Sequence, residues 1–385
     1  ETLEGWVNDA LMTIFFFVVA LEIKREAVHG DLRDPRQAAL PVFAALGGMV
    51  VPALIFTAFN AGGEGSRGWG IPVATDIAFA LGVLALVGNR IPVALKVFLL
   101  TLAVADDIGG IVIIAIFYTD DLSFSWLGAA FGFGALILVM QRSGFRSTAA
   151  YMVAGGALWL CVFESGVAAT IAGVVLGLMT PAAALYERGR FTRAARSFLQ
   201  ALDRSEQLPD HQQQEDVSEE ALRGMEHLSV EARSPLERLE DAVAPWSAFL
   251  IVPIFALANA GINLGGGKLS DAVESDVAWG VAVGLVLGKA VGVTLFTYLT
   301  VRFGVTSLPA GVRWSQILGV ALLSGIGFTV AIFIAGLAFD ELELVENAKI
   351  GIFAASTIAA ILGFFLLRLM TPRRRVTEAM PAPAG

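Results

Sequence analysis

Long apolar runs separated by short polar ones divide the chain into about eleven candidate spans: 6–24, 37–60, 70–88, 93–118, 124–141, 148–163, 165–182, 244–262, 277–301, 314–337 and 346–369. A helix needs about 20 mostly apolar residues to cross a bilayer, so the pattern predicts an all-α polytopic membrane protein. Trp6, Trp69, Trp126, Trp246, Trp279 and Trp314 fall near the starts of spans, where an interfacial aromatic belt would place them. Two spans are interrupted. Pro72 and the polar pair Thr75-Asp76 break 70–88, and Ser324-Gly325-Ile326-Gly327-Phe328-Thr329 breaks 314–337. Irregular backbone at membrane depth is tolerated where it lines a cavity or is covered by protein. Thr75, Phe79 and Gly82 share their spacing with Thr329, Phe333 and Gly336, and Ala105-Asp106-Asp107-Ile108 can be laid on Ala355-Ser356-Thr357-Ile358. The pattern therefore predicts inverted repeats with two discontinuous helices that cross.

The polar stretches set the organisation. Residues 1–182 read as the first part of a membrane domain, 183–243 as a polar insert, 244–370 as the second part and 371–385 as a tail. The middle of the insert, His211 to Asp216, is polar without an apolar period, which predicts partial disorder; the tail, with Pro372, Pro381 and Pro383, reads the same way. Lys24, Arg25, Arg33, Arg36, Arg90, Arg142, Arg146, Arg302, Arg313, Arg368 and Arg373 to Arg375 collect on one side. The other side carries Arg67 and Lys268 with acidic patches at Asp120-Asp121, Asp271/Glu274/Asp276 and Asp340/Glu341/Glu343. The positive-inside rule then puts the insert and C-terminus in the cytoplasm and residue 1 outside. The chain begins at Glu1 and enters an apolar run within a few residues, which leads us to expect that a first helix is missing.

Composition narrows the chemistry. Of 385 residues 56% are hydrophobic and 16% charged, and the mean hydropathy of +0.72 is beyond what a soluble core needs. A single Cys161 excludes a disulfide framework and a thiolate metal site. His29, His211 and His227 all lie outside the apolar runs, so groups that titrate inside the membrane must be Asp, Glu or Lys. No cofactor is implied. Much of the net charge of −9 comes from the insert, and nothing supports nucleic-acid binding.

Asp106 and Asp107 stand in the middle of 93–118. An acidic residue at mid-membrane costs at least ~2.5–3.5 kcal/mol on insertion scales, so its default reading is an ion or proton site. Neighbouring helix positions differ by about 100°, so one carboxylate can face a cavity while the other meets a partner helix. Gly109 and Gly110 follow, small enough for a second backbone to approach. Lys289 is the one cation deep inside a span; a buried ammonium must pair or lose its proton, and Asp106 would serve as partner. In the first break Asp76, with Thr75 beside it, can compensate the helix ends or act as a plain N-cap. Glu22 and Glu26, one turn apart around Lys24 and Arg25, read either as a solvated helix end with intrahelical pairing or as a cation-attracting, pH-responsive funnel. Lys349 reads as snorkelling from a span end, Asn259 as a hydrogen-bonding residue and Glu164 as solvated.

With these residues assembled, the chain resembles the bacterial NhaA family of sodium/proton antiporters from about Gly5 to Thr371. The resemblance is carried by Leu21-Glu22-Ile23-Lys24-Arg25-Glu26, Ala74-Thr75-Asp76-Ile77-Ala78-Phe79-Ala80-Leu81-Gly82, Ala105-Asp106-Asp107-Ile108-Gly109 and Gly325-Ile326-Gly327-Phe328-Thr329. Phe255-Ala256-Leu257-Ala258-Asn259-Ala260-Gly261 and Gly288-Lys289 add to it. This family is itself among the cases behind the rule linking broken helices to transporter sites. The resemblance implies that Asp107 is the main sodium and proton carrier, that Asp106 shares the site and pairs with Lys289, and that Thr75 and Asp76 sit at the helix crossing. It also implies that Glu22, Glu26 and Glu240 belong to a cytoplasmic pH-responsive funnel, and that Asp9 is an acid at the outer end of its span. Three departures stand out. The family's first helix and the outer hairpin that supports its homodimer are absent from this sequence, an insert precedes Ser234-Pro235, and Asp241 and Ala244 replace histidines that some members carry.

The implied activity is electrogenic, pH-regulated export of Na+ or Li+ against inward H+ across the bacterial inner membrane, with the lipid bilayer as the other partner and no enzyme activity. Rival readings are an ion-coupled organic-anion carrier on a similar crossed-helix fold, an intramembrane aspartyl protease and a passive channel. The protease needs one Asp from each of two facing helices, whereas Asp106 and Asp107 are adjacent.

Overall fold

The structure is a computed structural model. It describes residues 3–88, 90–119, 122–145, 147–183, 188–205, 211–259, 261 and 272–371. Among them every regular element is helical. A π-helical turn, Val7–Leu11, leads into α1 (Met12–His29), and α2 (Pro35–Asn60) follows. Asp34 starts α2 by accepting from the Arg36 amide at 3.0 Å, with Pro35 at the first helical position, where its missing N–H costs nothing. A 3-10 segment, Glu64–Val73, then runs into α3 (Ile77–Val87). Next come α4 (Val93–Phe117), α5 (Phe124–Arg142), α6 (Thr148–Phe163) and α7 (Thr170–Met179). The insert contains α8 (Arg188–Ser205) and α9 (His211–Glu231). The second half contains α10 (Pro235–Asn259), α11 (Asp276–Arg302), α12 (Trp314–Leu323), α13 (Phe328–Ala338) and α14 (Leu342–Met370).

Among the described residues six helices are long and apolar enough to cross a bilayer, and the count reaches eight if each of two bent pairs is one span. The eleven runs read from sequence include three that fall outside this set. α6 and α7 are shorter, and α1 carries Glu22, Lys24, Arg25 and Glu26 in its second half. The apolar surface agrees with a lipid environment. Phe249 is 85% exposed and Leu257 83%, a state that water would penalise and acyl chains do not.

Close packing in the centre depends on small residues. α2 and α11 touch at Gly47 and Gly292, where a methyl group on either glycine would come within 2.2 Å of the other helix's backbone oxygen. Such contact lets two helices associate without a hydrophobic driving force between them. Two apolar clusters form the core. One includes Phe16, Phe56, Phe255 and Phe333, the other Leu95, Phe98, Leu99 and Val320, and Phe328 at the head of α13 packs against both.

The insert departs from expectation. Its middle, read as partly disordered, lies in α9, which packs with α8 as a helical hairpin. The reason is a sparse apolar stripe that the window 211–216 does not reach: Ala221 and Leu228 are buried, the Phe198 ring lies where a side chain on Gly224 would be, and the Ser205 and Ser218 hydroxyls bond at 2.9 Å. The following span also starts earlier, at residue 235 rather than 244. Ser234 and Glu237 form a capping box, and Pro235 occupies the first position. The Leu236 amide donates to the Pro181 carbonyl at 3.1 Å, so the two ends of the insert meet. Excising 188–231 and joining the ends with a short Gly-Ser linker is therefore expected to leave the melting temperature of the remaining protein unchanged. A collapse of that transition would show that the hairpin supports the membrane part. The tail beyond Thr371, Asp120, Asp121, Arg146, Lys268 and Asp271 lie outside the described residues.

Candidate ion-binding site

Both interrupted spans are bent, by 44° between the 3-10 segment and α3 and by 49° between α12 and α13. The breaks lie against each other. The Asp76 amide donates to the Ile326 carbonyl at 2.6 Å. Helix ends leave backbone groups without intrahelical partners, and here each break serves the other. The Thr75 hydroxyl donates to the Ser324 carbonyl at 2.8 Å, at the C-terminal end of α12. Thr75 thus serves the opposite chain segment rather than its neighbour Asp76. The Asp76 carboxylate receives the Phe79 amide at 3.2 Å from its own helix. It also receives the Thr329 amide at 3.1 Å and the Thr329 hydroxyl at 2.5 Å from α13. The buried Asp76 carboxyl therefore caps the N-termini of two helices. The Phe328 amide at the same terminus donates to the Ser356 hydroxyl on α14 at 3.3 Å.

Glycine is required where the break meets α11. A side chain on Gly325 would strike the Leu285 carbonyl at 2.4 Å, and one on Gly327 would meet the Ala74 carbonyl at 3.1 Å. Leu285 belongs to a π-helical turn, Gly284–Gly288, directly before Lys289. Such turns inside α-helices are frequent at functional sites, because the extra residue shifts the register of the side chains that follow.

Lys289 and Asp106 are joined as expected. The Nζ donates to Asp106 Oδ2 at 2.5 Å, and neither side chain has any exposure. The lysine stem passes Gly48 of α2. The other carboxylate oxygen of Asp106 has no hydrogen-bond partner among the described residues. Asp107 is half-buried and takes no part in the ion pair. Gly109 does not receive a second backbone; the Met49 sulfur fills its side-chain position instead. Gly110 has no atom within contact distance of that position.

The end of α1 is organised between helices rather than within one. Arg25 pairs with Glu240 of α10, and Lys24 donates to the Leu178 carbonyl at 2.6 Å, near the C-terminus of α7. Glu26 is buried and accepts the Asp31 amide at 2.8 Å, so it shapes the turn after α1. Glu22 is half-buried. The structure brings Glu240 to this group and places Glu26 on its far side, against Gly30. Asp9 lies in the turn before α1, where its carbonyl accepts the Thr13 hydroxyl. Asn259 bonds to Asn8 at 2.8 Å, Glu164 is exposed, and Lys349 is buried rather than snorkelling, with 6% exposure.

Sequence reasoning did not assign Ser356 or the second partner of Asp76. A signal for both was present, since Thr329 aligns with Thr75 and Ser356 with Asp106 in the repeat comparison. Thr329→Val is expected to lower stability by about 1–3 kcal/mol, the cost of depriving a buried charged acceptor of a partner. Thermal unfolding in detergent measures it, and a wild-type transition would mean that Asp76 is held by the two amides alone.

A family profile described as Na+/H+ antiporter 1 matches residues 1–367. Among curated relatives, a protein of Oleidesulfovibrio alaskensis named Na(+)/H(+) antiporter NhaA is 45% identical over 97% of this chain and 83% of its own length. Proteins of the same name from Anaeromyxobacter sp. and Yersinia pseudotuberculosis are 47% and 44% identical over 98% and 96% of this chain, and over 80% and 83% of their own lengths. The profile and the relatives run through both breaks, the aspartate pair and Lys289 alike: the chain belongs to the Na+/H+ antiporter 1 family.

Proposed function

We propose that this protein exchanges Na+ or Li+ for H+ across the bacterial inner membrane, and that Asp107 with the Asp106–Lys289 pair is the exchange site. The observation that carries this reading is the contrast between the two neighbours. Asp106 is spent on a buried ion pair, whereas Asp107 is half-buried and free of that pair. A carboxylate held at membrane depth by the fold binds either a proton or a small cation and cannot keep its charge bare. The two species then compete. When the cytoplasm becomes alkaline the proton leaves, and Na+ takes its place on carboxylate and backbone oxygens.

The empty site carries net negative charge and is costly to move through the low-dielectric interior. Occupancy by Na+ or by protons removes part of that negative charge and lowers the cost, so only occupied states cross. Such a rule makes exchange obligatory without any gate beyond the protein's own motion. Asp106 and Lys289 titrate as a unit with Asp107. Two protons exchanged for one Na+ make the cycle electrogenic, with the second proton carried by that pair. The crossing supplies rigidity: with its ends capped by Asp76 and Thr75, irregular backbone can sit at membrane depth without orphan polar groups. Glu22, Glu240 and Arg25 form the charged group through which cytoplasmic pH acts, with Glu26 holding the adjacent turn. The excess of Lys and Arg in the loops on that side supports a cytoplasmic position for that group and the C-terminus.

Proteoliposomes preloaded with protons test the exchange. Addition of external Na+ is expected to drive proton efflux that depends on pH and is unaffected by organic anions. Proton movement without a Na+ requirement, or Na+ movement that an opposing proton gradient cannot drive uphill, would overturn the reading.

A further inference from the structure

A groove of about 270 Å³ opens sideways between α2, the 3-10 segment and α4, lined by Met49, Ala53, Leu54, Trp69, Val73 and Ile113. We propose that this groove is a binding site for one acyl chain of a membrane phospholipid. Its mouth is bordered by exposed apolar side chains. Val50 and Leu54 on the rim are 44% and 64% exposed, and Ile116 and Phe117 on α4 are 65% and 55% exposed. What meets that opening is lipid.

Water would find almost nothing to bond there, since the Thr57 hydroxyl already donates to the Ala53 carbonyl at 2.8 Å and the remaining lining is apolar. An empty groove forfeits the dispersion contacts of its walls. An unbranched hydrocarbon chain matches the groove in polarity. Trp69, edge-on to Phe117 with ring centroids 4.9 Å apart, forms one wall.

The walls are shared with the exchange site. Val73 immediately precedes the break that holds Thr75 and Asp76. The Met49 sulfur fills the side-chain position of Gly109, two residues from Asp107. An acyl chain in the groove therefore bears on the backbone at both places, whatever the transported ion is.

The test uses Trp69 as a reporter. The chain has seven tryptophans; the other six are replaced by Phe, and the protein is reconstituted in phosphatidylcholine containing increasing fractions of lipid brominated at mid-chain. Quenching of Trp69 is expected to reach half its maximum at a mole fraction about 3-fold lower than in the same protein carrying Ala53→Phe, a preference within reach of a few added dispersion contacts. Superimposable curves proportional to mole fraction would overturn the proposal, because Trp69 would then sense freely exchanging lipid only. If the multiply substituted protein fails to reconstitute, the wild-type chain is labelled with a phosphatidylcholine bearing a photoactivatable acyl chain. Labelling of peptides holding Met49 to Leu54 and Trp69 to Val73 above that of the equally lipid-facing Phe131 and Phe249 supports the site. Uniform labelling refutes it.

Discussion

Asp107→Asn is expected to reduce sodium-driven proton exchange to the level of protein-free liposomes while leaving thermal stability at or above that of the wild type. The amide keeps the size of the side chain and one carbonyl oxygen, but it can neither take up a proton nor present a negative charge to Na+. Both halves of the exchange are lost together. Stability is preserved because the Asp107 carboxylate supports neither the ion pair nor the helix crossing. Retained exchange in a folded Asp107→Asn protein would remove Asp107 from the site. Lost exchange accompanied by a lower melting temperature would show that its role is structural.

Lys289→Ala is expected to do the opposite: a large loss of stability, about 3–5 kcal/mol, from leaving the Asp106 carboxylate buried without its partner. Neither side chain of this pair has any exposure, so water cannot take over. The change also empties the space along Gly48 that the lysine stem occupies. A second substitution distinguishes charge from packing. Lys289→Met keeps most of the stem, and adding Asp106→Asn removes the stranded charge, so the double variant is expected to recover most of the lost stability. Melting temperatures of the two single variants and the double variant in one detergent give the coupling. Additive effects would mean that the 2.5 Å contact contributes no interaction of its own. The contrast between neighbours is the informative result: Asp107 governs exchange at constant stability, and the Lys289–Asp106 pair governs stability first.

The candidate site was legible in the sequence because the membrane makes such residues stand out. Charges and helix breakers are expensive at that depth, so Asp106, Asp107, Lys289, Thr75 and Asp76 stood out against apolar neighbours, and the structure brings the last two to the crossing and joins Asp106 to Lys289. Partner choice was less legible. The repeat comparison pointed to Thr329 and Ser356, but that Asp76 caps α13 as well as α3, or that Ser356 receives the Phe328 amide, depends on how two distant segments approach. The end of α1 shows the same limit. Glu22, Lys24, Arg25 and Glu26 look like an intrahelical charge series at their spacing, yet Lys24 and Arg25 reach other helices and Glu26 turns to the loop behind it.

The insert was hard to read for a different reason. Its apolar positions are sparse and its charges many, so the stripe formed by Phe198, Ala221 and Leu228 becomes visible only when α8 and α9 are placed side by side. The early start of α10 could have been read from Ser234-Pro235-Leu236-Glu237, a capping box written in four residues. The hydropathy of the span behind it drew the boundary too late.

Sodium binding by the purified protein, followed by titration calorimetry in buffers of different ionisation enthalpy, tests competition at one site most directly. The account predicts that Na+ binding releases protons and that, on the acid side, affinity falls about tenfold per pH unit for each proton displaced, with no binding heat in Asp107→Asn. Affinity that is independent of pH, with no proton release, would contradict it.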